Sequence, residues 1–149
     1  MRNKPTKHAH DDALPRALQH RPNDADQLMQ LDVPLEKCGS LIMVMTPWEM
    51  PVPLTRVWCL YEIAKAVKYN AAIQMVFLSR ERGAFFEALN NRFDEVSAVF
   101  QSISVADAEA TVEADKYEIF RLIQTQFGSR LEVERICEEL GQWHALIRC

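Results

Sequence analysis

The sequence predicts an α/β domain: a parallel sheet with flanking helices and a helical carboxy-terminal end. Three observations carry that expectation. Two short apolar runs, Leu41 to Met45 and Ala72 to Leu78, have the length and character of buried strands. The segment between them, Arg56 to Lys68, repeats its apolar residues at helical spacing. Beyond residue 79 the helical period dominates to the end, and strands that alternate with helices favour parallel pairing.

The chain has 149 residues, 48% of them apolar, which suits one domain with a continuous core. The longest apolar run, Ser40 to Met45, is too short to cross a bilayer, and the amino terminus carries no apolar stretch of a secretory signal. A cytoplasmic protein without membrane contact is expected. A net charge of −4, with acids and bases mixed along the chain, argues against nucleic acid as a partner. Cys38, Cys59, Cys137 and Cys149 form no CxxC pair, so reduced and mostly buried thiols are expected. The His8-Ala9-His10-Asp11-Asp12 run has metal-ligand residue types, but nothing downstream completes a set and no metal site is expected.

In chain order, residues 1–23 read as a disordered polar tail, rich in Lys, His, Asp and Pro without either periodicity. From Asp24, Leu28, Leu31 and Leu35 suggest a short amphipathic helix. Leu41 to Met45 reads as a central strand covered on both faces. The three prolines of the Pro47 to Thr55 segment then predict a loop, neither helix nor strand, with Thr55 capping the next helix. That helix buries Val57, Leu60, Ala64 and Val67, and leads to the second strand. A right-handed crossover should place the two strands side by side and parallel.

A helix beginning at Ser79 is expected to bury Phe85, Phe86, Leu89 and Phe93, continued by Val96, Val99 and Phe100. Ile103-Ser104-Val105 is expected to form a third strand. Ile119, Phe120, Ile123 and Phe127 form one stripe ending at Gly128. Ser129 and Glu132 have the spacing of a reciprocal capping box, opening a last helix that buries Val133, Ile136, Leu140 and Trp143.

The most specific stretch runs from Leu41 through Pro47-Trp48, Pro51 and Pro53-Leu54-Thr55-Arg56 to Trp58-Cys59-Leu60-Tyr61-Glu62-Ile63. It resembles the strand, loop and WCxxE helix of Toll/interleukin-1 receptor (TIR) domains, and more closely the TIR-like domains of large protist and algal families. The Val105 to Ala110 and Asp115 to Gly128 stretches are similar to that family's carboxy-terminal part. The resemblance covers roughly Asp24 to Trp143, within a domain set at residues 24–149, and implies a partial flavodoxin-like (TIR-like) fold, because the Ser or Ser-His strand that normally opens such domains is not found.

What the resemblance implies about function has two main branches. The leading one is a signalling or scaffold module that self-associates or docks other TIR-like domains. Tetratricopeptide-repeat proteins enter as further partners, since some such domains are joined to those repeats. The alternative is an NAD-cleaving hydrolase with Glu62 as its catalytic carboxylate and NAD as substrate rather than cofactor, active on assembly. Trp58, one turn before Glu62, and Trp48 on the preceding loop would then contact a base or nicotinamide ring. Against these stand a core role for both tryptophans and a surface ion pair of Glu62 with Arg56 or Lys65. A nonfunctional fragment of a longer TIR-like protein is the third reading. His144 beside Trp143 reads as a surface or end-packing residue and not a base, and no Ser-His-Asp or Cys-His arrangement supports a hydrolase of another kind.

Overall fold

Two five-residue strands, β1 (Ser40–Val44) and β2 (Ala72–Val76), pair in parallel, with Ile42 beside Gln74 and Val44 beside Val76. The computed structural model describes Leu35 and residues 37–146 of the chain. The expected tail, Leu28, Leu31, Cys149 and the side chains of Trp143 and His144 lie outside the described residues. After β1 come α1 (Val52–Thr55), α2 (Val57–Lys68), then β2, α3 (Ser79–Asn91), α4 (Phe93–Gln101), α5 (Glu113–Phe127) and α6 (Arg130–Leu146). The molecule is therefore mixed α/β and mostly helical around a small parallel sheet, and both predicted strands and the helix between them are present.

Helix α2 is the centre of the core. Val57, Leu60, Tyr61, Ile63, Ala64 and Ala66 are all buried, and the helix packs against both strands and against α5 and α6. Burial on so many sides fits its run of apolar positions, which is wider than one amphipathic stripe. Val67, expected on the buried face, is 38% exposed, although Lys65 and Ala66 in the same last turn are buried. Ile119, Leu122 and Ile123 of α5 and Val133, Cys137 and Leu140 of α6 complete the core.

Several expectations are corrected. β1 is covered on one face only: Met43 is buried, whereas Ile42 and Val44 are 61% and 44% exposed and Val76 of β2 is 43% exposed. Pairing places these three on the face away from α2, and no described residue closes over them. The Pro47 to Thr55 segment contains helix α1, with Pro51 at its N-cap and Pro53 in its first turn, where a missing N–H removes no helical bond. Thr55 closes that helix by donating its hydroxyl to Val52 O (3.0 Å) and does not cap α2. The first amide of α2, Val57 N, donates instead to Glu109 O (3.0 Å), and Glu109 N donates to Thr55 O (2.8 Å). That exchange forms an isolated parallel bridge between Arg56 and Glu109.

No third strand forms at Ile103 to Val105. Both apolar residues are buried, but the segment folds back on itself: Ala108 N donates to Ser104 O (3.0 Å) and Ser104 Oγ donates to Asp107 (2.8 Å). Val105 N is taken by the Glu134 carboxylate (2.6 Å), which removes the Val105 amide from any ladder. In α3 and α4 the aromatic stripe is split, with Phe86 and Phe93 exposed while Phe85 and Leu89 pack against the core. At the start of α6, Ser129 Oγ accepts from Glu132 N (3.1 Å) as expected, but the Glu132 carboxylate is held by Arg135 and the reciprocal bond is not made. Gly128 ends α5 at φ 83°, a conformation that favours glycine. Of the three described cysteines, Cys137 is buried, Cys59 half-buried and Cys38 exposed, and none is bonded to another.

Candidate functional site

Trp58, Cys59 and Glu62 share one flank of α2 because four and three residues span about one helical turn. All three are half-buried, Trp58 with its ring against the core. Burial alone raises the Glu62 carboxyl above the ordinary carboxylate range. Among the described residues nothing donates a hydrogen bond to it and no cation pairs with it.

The two cations expected to neutralise Glu62 are engaged elsewhere. The Arg56 guanidinium donates to Thr111 Oγ1, tying the start of α2 to the segment that carries the Glu109 bridge. Lys65, only 2% exposed, donates to Gln126 Oε1 (2.6 Å) and Tyr69 OH (3.3 Å) and lies 4.9 Å from the centre of the Tyr69 ring. A surface ion pair is thus not what Glu62 makes. The Cys59 thiol is pushed up by burial and then by the Glu62 charge, with Arg56 acting in the opposite sense. A thiol so placed stays protonated near neutral pH and is a poor nucleophile.

Trp48 is buried on the segment leaving β1, and its ring turns towards α3. It meets the edge of Phe85 (6.0 Å between centroids), and the Arg92 guanidinium lies 6.0 Å from its centre. Phe77, just past β2, stacks on Phe85 at 4.0 Å. The three sequence-predicted site residues therefore fall into two places, with Trp58 and Glu62 together on α2 and Trp48 within an aromatic group against α3.

Sequence reasoning missed Glu81. Its Oε1 accepts from Thr46 Oγ1 (2.9 Å) at the carboxyl ends of the two strands, and its buried Oε2 has no hydrogen-bond partner among the described residues. No local signal pairs two residues 35 apart in sequence. Among the described residues no group of three His, Cys, Asp or Glu is arranged to hold a metal, and no helix is long and apolar enough to cross a membrane. No family model matches the chain, and no curated protein or solved structure shows significant similarity to it.

Proposed function

We propose that this chain is a cytoplasmic TIR-like interaction module, its sheet part of a flavodoxin-like arrangement, that acts in signalling by self-association or by docking another TIR-like domain. The observation that carries this reading is the open face of the sheet, where Ile42, Val44 and Val76 meet water. Parallel sheets are found almost entirely with both faces covered, so an apolar open face is a surface that a partner can complete. Sedimentation across a wide concentration range tests the reading. Concentration-dependent assembly supports it, and a monomer at every concentration that also recovers no TIR-like partner from its host counts against it.

A second reading rests on Glu62. A half-buried carboxylate with no cation beside it, one turn from an indole, suits an NAD-cleaving hydrolase in which the carboxylate stabilises the oxocarbenium charge that develops as the nicotinamide–ribose bond breaks. Assay of the assembled protein for nicotinamide release, with Glu62→Gln and Glu62→Ala as controls, separates the two. Turnover abolished by both variants in a folded protein supports the enzyme. Absence of turnover in assembled wild type removes it.

A further inference from the structure

We infer that the outer edge of β1 is the seam of a two-fold dimer, in which β1 pairs antiparallel with β1 of a second copy to make one four-stranded sheet. This rests on the self-association reading and specifies its surface.

Backbone parity identifies the edge. Met45 N donates to Val76 O (2.8 Å) and Ala72 N to Gly39 O (2.8 Å), so with the parallel register the odd-numbered residues of β1 direct their N–H and C=O groups at β2. Ser40, Ile42 and Val44 direct theirs away from it, and no described backbone group bonds them. The same residues lie on the exposed face, so the free edge and the open face belong to one strand. Exposed edges are ordinarily guarded by a charge, a proline or a bulge. Ser40-Leu41-Ile42-Met43-Val44 has no charge and no proline, and its pairing with β2 runs without a bulge.

Self-complementarity selects the second copy and the direction. An antiparallel seam centred on Ile42 sets Ile42 opposite its own copy and Ser40 opposite Val44, an apolar centre with no like charges. A two-fold axis perpendicular to the sheet keeps both open faces on one side and both α2 helices on the other. Lys37 and Glu49, both exposed, flank the strand at its two ends. Antiparallel pairing brings Lys37 of one copy towards the Glu49 end of the other, whereas a parallel seam would set Lys37 beside Lys37 and Glu49 beside Glu49.

The test uses the full chain. Two residues exchanging both bonds across an antiparallel seam have Cα atoms about 5.5 Å apart, within disulfide reach. In a Cys38→Ser, Cys149→Ser background, Ile42→Cys should therefore cross-link on oxidation while Val44→Cys, four residues out of register with its own copy, should not. Ile42→Lys, a change at an exposed side chain, should leave the circular dichroism spectrum unchanged and weaken the dimer at least about tenfold by placing like charges opposite one another. A dimer that neither cross-links in the Ile42→Cys variant nor responds to Ile42→Lys would overturn the seam and leave self-association standing. A protein monomeric at every concentration overturns both. Slow hydrogen exchange at the Ile42 and Val44 amides of such a monomer would show that the edge is already paired within one chain.

Discussion

Helix α2 and strand β1 are almost equally apolar in sequence, and the fold treats them in opposite ways. Six apolar residues of α2 vanish into the core, and even Lys65 is enclosed with Gln126 and Tyr69 as partners. β1 hides Met43 and presents Ile42 and Val44 to water. The difference is one of layers: α5 and α6 pack on α2 from beyond the sheet, while the far side of β1 has no described layer at all. Apolar sequence on the α2 side is therefore a stability element, and on the outer face of β1 it is available for association.

The largest test of that contrast is truncation in the closed side. Leu60→Ala, at a fully buried position facing α2's neighbours, should cost about 2–5 kcal/mol in urea unfolding with an unchanged slope. A smaller cost is expected where α4 meets α6. Gly141 sits so close to Phe100 that an added Cβ would fall 2.7 Å from the Phe100 Cβ, well inside contact distance. Gly141→Ala should lose about 1–3 kcal/mol through overpacking, and the added variant Phe100→Leu should return part of that loss if the clash is the cause. Equal losses with and without Phe100→Leu would place the effect elsewhere.

Glu62 lies between the two regimes, half-enclosed and without a cation. Its carboxyl is raised in the folded state, so between the unfolded and folded values the folded protein binds more protons than the unfolded one. Stability should accordingly fall as pH rises through that window, and the penalty should be fully present above it. Glu62→Gln should be more stable than wild type above the window, and the difference should shrink as the pH is lowered below it. A pH-independent difference would remove desolvation as the cause. The smallest effect belongs to the open face: Val44→Thr should change stability by less than about 0.5 kcal/mol while weakening any dimer.

The helical framework was legible because periodicity over ten or more residues reports directly on burial, and the strands because Leu41 to Met45 and Ala72 to Phe77 are short apolar runs bounded by breakers. Trp58 and Glu62 could be placed on one flank of α2 for the same reason. Ile103 and Val105 show where that reading stops. Apolar character correctly marks them as buried but is silent on whether the backbone is extended, and the Glu134 carboxylate on Val105 N settles the matter from 29 residues away. The cap of α2 is a similar case, supplied by Glu109 and not by the adjacent Thr55.

Spacing along the chain thus accounts for β1, β2 and the longer helices and for most of the residues they bury, since both are local consequences of backbone period and side-chain transfer from water. Whether a second layer covers β1, whether Trp48 turns to Phe85 or to α2, and whether a cation reaches Glu62 all depend on residues tens of positions away. Those are packing outcomes. They follow from the distances at which α5, α6 and α3 come to rest, and no periodicity within β1 or α2 encodes them.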